Sequence, residues 1–252
     1  MTEWAGSALI AALWLTLAGC DREAAPAPAA STSAAPGLEA SAIPSPEPAT
    51  SPSPDVSAEP TSLAGVTYAP RDDCSTTPGW AAFHKALVSA IRARDAAALA
   101  ALASPDVTLD YGGGSGTAEL QKRLGDPERQ LWQELDALLP LGCTVEGGLA
   151  AMPWVFWNVP DNIDSYSAML VTGSEVPLRD GPNGKEQGNV GWFIVGLDPM
   201  EYKPNAKMTK VTLDNGDKGW VETGNLRSLL DYRLIAEPKD GNWQITAFIA
   251  GD

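Results

Sequence analysis

Histidine is almost missing from this sequence, and cysteine is scarce. The 252 residues hold one histidine, His84, and three cysteines, too few for a His-rich zinc site, a Cys/His/His constellation or two Cys/Cys metal pairs. No metal and no cofactor is expected, and most His- or metal-based hydrolase chemistry is excluded. Basic residues are also few: 17 Lys plus Arg stand against 32 Asp plus Glu, for a net charge of −15. Such a field repels nucleic-acid phosphates, so no nucleic-acid partner is expected. What is present is enough apolar material, 44% of the chain, for one or two compact domains with a core.

The apolar stretch from Trp4 to Gly19 has the length of a secretory h-region, short of the roughly 20 residues of a membrane span. It ends in Leu17-Ala18-Gly19-Cys20, which resembles a bacterial lipobox. The resemblance implies a signal peptide over residues 1–19, lipid on Cys20 and a mature protein anchored to a membrane of the cell envelope, facing the periplasm. Residues 20–63 are dominated by Pro, Ala, Ser and Thr, and Arg22 is the lone basic residue of the first 63. With so few large apolar side chains the segment cannot offset the entropy of ordering, so it is expected to be a disordered tether.

Folding signals begin near Cys74. Trp80, Phe83, His84, Leu87 and Ile91 recur at helical spacing, predicting a helix over 78–94 with Thr77 and Pro78 at its start. Asp95 suits the cap of a second helix carrying Leu99 and Leu102, which Ser104-Pro105 would stop. Val107, Leu109 and Tyr111 alternate as a strand. Asp126-Pro127 opens a helix whose stripe is Leu131, Trp132, Leu135, Leu138 and Leu139. The glycines of 112–116 read as a strand-to-helix turn, since no Lys-Ser/Thr pair follows them as a phosphate loop requires. His84 reads as structural. Cys74 and Cys143, the cysteines left beside Cys20, are expected to pair in an oxidising compartment.

Beyond Trp154-Val155-Phe156-Trp157 the texture changes to short strands. Val176-Pro177-Leu178-Arg179-Asp180-Gly181-Pro182 is followed by Trp192-Phe193-Ile194-Val195, read as a strand, and by Lys210-Val211-Thr212-Leu213-Asp214-Asn215-Gly216-Asp217-Lys218-Gly219-Trp220-Val221. These three elements resemble the bacterial SH3 family over roughly 168–228. The Asn215-Gly216 step supplies the positive φ of a tight hairpin and Gly219 permits close backbone approach, with Trp220 and Val221 on opposite faces. The family's asparagine of the first strand is Pro177 here, and its tryptophan before the penultimate strand is replaced by Met208-Thr209. Arg179, Trp192, Tyr202 and Trp220 are the ligand-binding candidates implied by the resemblance, with Trp220 read as packed in the barrel.

Tyr232–Glu237 and Trp243–Ile249 form a hairpin around Lys239-Asp240-Gly241-Asn242. Helices, a strand and a closing hairpin distantly resemble the nuclear-transport-factor-2-like fold. The expected fold is therefore α+β, a helix-rich domain over 64–165 completed by 229–252, with a small SH3-like β-barrel over 166–228 inserted before the C-terminal hairpin. The family implies a non-catalytic envelope module recognising a peptidoglycan peptide or a partner protein. The alternatives are a structural or sensory lipoprotein, and a carboxylate-based wall hydrolase with Asp110 and Tyr111 as nominal residues.

Overall fold

The computed structural model describes residues 65–251; the expected signal peptide over 1–19, the expected tether over 20–63 and Cys20 lie outside the described residues. The described residues hold four α-helices, α1 (Trp80–Ala93), α2 (Ala96–Ala101), α3 (Thr117–Leu124) and α4 (Leu131–Leu138), with one strand between α2 and α3. Helix α1 begins two residues later than Pro78, after Gly79 at φ 78° with no side-chain cap. Its buried face is Trp80, Phe83, Leu87, Ala90 and Ile91. His84 sits half-buried beside that face, its ring stacked on Trp80 with centroids 6.0 Å apart. Asp95 caps α2, accepting from the N–H groups of Ala97 at 3.0 Å and Ala98 at 2.9 Å. The segment opened by Asp126-Pro127 is not one helix: a 3-10 turn over Pro127–Arg129 is separated from α4 by Gln130 in the left-handed region at φ 52°. Of the predicted stripe Leu131, Leu135 and Leu138 are buried, while Trp132 and Leu139 pack at its margin.

The strands in chain order are β1 (Ala103–Thr108), β2 (Thr144–Glu146), β3 (Leu149–Met152), β4 (Ala168–Val171), β5 (Pro177–Arg179), β6 (Glu186–Asn189), β7 (Ile194–Gly196), β8 (Met208–Thr212), β9 (Lys218–Glu222), β10 (Leu226–Ser228), β11 (Arg233–Lys239) and β12 (Asn242–Ile249). They form two sheets, so the chain is α+β. The first sheet has the order β1-β12-β11-β3-β2, with β1 parallel to β12 and the other pairs antiparallel. Ser104 and Pro105 lie inside β1 rather than stopping α2. Pro is tolerated there because β1 is an edge strand. The helices pack on this sheet. Trp80, Leu87, Ile91, Leu120 and Leu135 meet Met152, Leu234, Ile245 and Phe248 in one cluster, and burying each such side chain stabilises by about 1.5–3 kcal/mol before entropy is counted.

The second sheet is antiparallel, with the order β10-β4-β7-β8-β9-β5-β6. Its order is open, with β10 and β6 at the edges. Val171, Val176, Leu178, Val190, Val195, Val211 and Val221 form its own core. Gly219 is required by packing: a Cβ there would lie 2.5 Å from Leu178 Cδ1 and 3.0 Å from the carbonyl of Arg179.

A third cluster, Trp154, Val155 and Leu170 with Tyr68, Trp192 and Leu229 against it, fills the junction where the chain leaves the first sheet and returns to it. The segment before α1 runs across this junction. Tyr68 N–H donates to the Trp192 carbonyl at 2.6 Å, Cys143 N–H donates to the Arg71 carbonyl at 2.8 Å, and Cys74 is disulfide-bonded to Cys143 with Cα atoms 5.7 Å apart.

Candidate functional site

Tyr202 and Trp220 line one groove of about 250 Å³ on the second sheet, together with Met208, Lys210 and the 198–206 loop that carries Asp198, Glu201 and Lys203. The strands place them by register. In β9 the inward positions are Gly219 and Val221, both buried, and Trp220 projects to the opposite face, where it is only half-buried. Lys210 of β8 pairs with Trp220 on one side and Arg179 of β5 pairs with it on the other. Residues directly opposite one another in antiparallel strands share a face. The indole therefore stands in a cross-strand row between two cations.

Neither cation is in an ion pair among the described residues. Arg179 makes one long bond, from Nη1 to the Gly184 carbonyl at 3.3 Å. Trp220 contributes nothing to the apolar core of its sheet, contrary to its reading as a packed barrel residue. The reason lies in the alternation, which gives the inward position to Val221. The row can offer a flat apolar face flanked by two hydrogen-bond donors, and the loop opposite adds two carboxylates.

Trp192 is elsewhere. It is not in a strand but in a turn, at φ 62°, where its N–H donates to the Val171 carbonyl at 2.9 Å and its carbonyl accepts from Tyr68. A bulky residue is strained in that region of backbone space, and these two bonds together with packing against the junction cluster hold it. Of the four sequence candidates the structure brings Arg179, Tyr202 and Trp220 to one sheet face or groove and leaves Trp192 as packing. Lys210, Met208, Asp198, Glu201 and Lys203 were not found from the sequence.

A larger cleft of about 440 Å³ lies where residues 65–68 cross the second sheet, lined by Tyr68, Phe193, Ile194, Leu213, Asp164 and Asp214 among others. Burial, and next the nearby Asp214, push the Tyr68 phenol above its ordinary range. Asp164 is already engaged, accepting from Ser167 Oγ at 2.6 Å.

The nominal catalytic pair is committed to structure. Asp110 accepts from Gly114 N–H at 2.8 Å and from Arg123 Nη2 at 2.5 Å. The Gly114 amide first, and then Arg123, hold the Asp110 carboxyl below the usual carboxylate range, the wrong direction for a general acid. Gly114 is the glycine this arrangement needs, since a Cβ would lie 2.1 Å from Arg123 Nη2. The glycine-rich loop thus donates to an internal carboxylate. Tyr111 is 60% exposed and its hydroxyl accepts from Arg233.

No family model and no curated protein matches the chain. Among solved structures it is similar to a chain described as a calcium/calmodulin dependent protein kinase II association domain from Xanthomonas campestris, at 12% identity and a TM-score of 0.26, over 68% of this chain and 84% of that one. Likeness of that degree carries nothing about a site.

Proposed function

We propose that the protein is a non-catalytic binding module of the bacterial cell envelope, held to a membrane by lipid on Cys20 and facing the periplasm. In this reading the second sheet is an SH3-like module, and its Tyr202–Trp220 groove takes a short peptide of peptidoglycan. The observation that carries the reading is the row Lys210, Trp220, Arg179. An indole spared from the core and flanked by two unpaired cations suits a ligand with an apolar stem and carboxylates on either side. Asp198 and Glu201, lining the groove, suit the amino groups that such a peptide also carries. Recognition by a small rigid surface rests on a few aromatic and Arg contacts.

The test is co-sedimentation of the full chain with purified sacculi, with the supernatant assayed for released muropeptides. Retention of the wild type, its loss in Trp220→Ala and Arg179→Ala, and no muropeptide release are expected. A wild type left in the supernatant would overturn the ligand assignment, and release of muropeptides would overturn the non-catalytic one. The anchor is tested separately: Cys20→Ala is expected to leave the detergent phase, and unchanged partitioning in that variant would reject the lipoprotein reading.

A further inference from the structure

Arg233 opens β11 at the junction of the two sheets and is 6% exposed. A guanidinium does not give up its proton in a protein, so its burial is normally matched by a carboxylate. Here no carboxylate pairs with it among the described residues. Its donors go to neutral oxygens: Nη1 to the Gly251 carbonyl at 2.7 Å and Nη2 to the Tyr111 hydroxyl. Its Nε is buried and has no hydrogen-bond partner. The Phe156 ring, 4.9 Å from Cζ, offsets part of the charge but cannot accept at Nε.

The same side chain lines a small, partly open cavity with Pro153, Phe156, Leu170, Asp231 and a second arginine, Arg227. Asp231 is already taken, at 3.1 Å from Arg227 Nη1, and Arg227 Nη2 donates to the Tyr232 carbonyl at 2.7 Å. Asp231 and, at longer range, Glu134 of α4 act on Arg227, so the charge left without a carboxylate of its own is that of Arg233. The space in the cavity open to a water-sized sphere is about 10 Å³, room for about one small ligand.

We infer that this cavity is a site for a monatomic anion of the halide class, which supplies the acceptor that Arg233 Nε lacks and balances the charge of that guanidinium. The small space favours a compact anion over a phosphate, and the unpaired guanidinium favours an anion over water. Lying between the loop after β3, strand β4 and the β10–β11 connection, the ion would tie the two sheets together at the point where the chain passes between them.

The test is thermal unfolding of the full chain in sodium chloride against sodium gluconate at equal ionic strength. A ligand bound only by the folded state raises the melting temperature with its concentration, and a rise of roughly 3 °C or more at 0.3 M chloride is expected for a site of about 10 mM affinity. Arg233→Met should melt at the same temperature in both salts. Equal melting of the wild type in the two salts, or a chloride effect retained in full by Arg233→Met, would overturn the inference. Should that variant not fold, bromide-grown crystals of the wild type decide: an anomalous peak in the cavity supports the site and an empty cavity rejects it.

Discussion

Arg179 of β5 lies directly across from Trp220 of β9, in the register pair that joins those two strands. Trp220 is therefore placed by the same contact that completes the sheet, yet its side chain stays outside the buried cluster. Position and burial are separated at this residue, which makes recognition and folding separable by mutation.

Trp220→Ala and Arg179→Ala are accordingly expected to keep the fold, with unfolding midpoints close to wild type, while each weakens peptide binding by about 1–3 kcal/mol as truncated interface anchors do. Circular dichroism melts and titration with soluble muropeptides measure the two effects. A Trp220→Ala protein that is unfolded at 25 °C would contradict the placement of the indole.

The neighbouring glycine should behave in the opposite way. Gly219→Ala puts a methyl group against Leu178 Cδ1 at 2.5 Å and beside the Arg179 carbonyl, both in the packed interior of the sheet. Overpacking of this kind costs about 1–3 kcal/mol, so denaturant unfolding should show a clear loss of stability. Binding measured well below the new midpoint should be retained, because Gly219 faces away from the groove.

Cys74 and Cys143 close a loop with a sequence separation of 69, and they fasten the segment before α1 to the first sheet beside β2. In the chain-entropy model a loop of that length contributes roughly 4 kcal/mol. Thiol alkylation without reductant should find neither cysteine free by mass, and Cys74→Ser with Cys143→Ser should lower the unfolding free energy extrapolated from denaturant melts by an amount of that order. Alkylation of both cysteines in the oxidised protein would remove the bond from the account.

Much of the helical layer was legible because its period is strong: the Trp80, Leu87, Ile91 stripe and the Asp95 cap follow from spacing and side-chain chemistry alone. Helix ends were less so, since Gly79 and Gln130 bound their helices through left-handed backbone rather than through a side-chain cap. The groove was half legible. Tyr202 and Trp220 stood out as residues, but Lys210 did not, because its place depends on the register of the β8–β9 hairpin. A two-residue Asn215-Gly216 turn would set Val211 opposite Trp220. The loop is instead closed by the Leu213 N–H to Asp217 carbonyl bond with Gly216 at φ 87°, the three-residue form, and the shift of one residue brings Lys210 there. Arg233 was invisible for a different reason. A buried cation without an acid is defined by what surrounds it in space, and its contacts Tyr111, Phe156 and Gly251 are scattered along the chain.

The charged face of α4 yields a prediction about pH. Glu134 is half-buried, and burial first, then the nearby Asp231, push its carboxyl above the ordinary Glu value of 4.5, against a smaller opposing effect of Arg227. A carboxyl whose pKa is higher in the folded state binds its proton more tightly there than in the unfolded chain, so this group's contribution to stability falls as pH rises between the two values and stays low above them. Asp106, Asp110 and Glu119 are shifted the other way and contribute stability that is lost on acidification, so the sum over the protein hides the Glu134 term. The difference between wild type and Glu134→Gln isolates it. The variant should be the more stable of the two at pH 7, and the gap should close as pH falls below the ordinary Glu value, where Glu134 is protonated in both states. Unfolding midpoints of the two proteins from pH 3.5 to 8 measure the gap. A variant less stable than wild type at pH 7 would mean that ionised Glu134 is stabilised by Arg227 more than it is penalised by burial and Asp231.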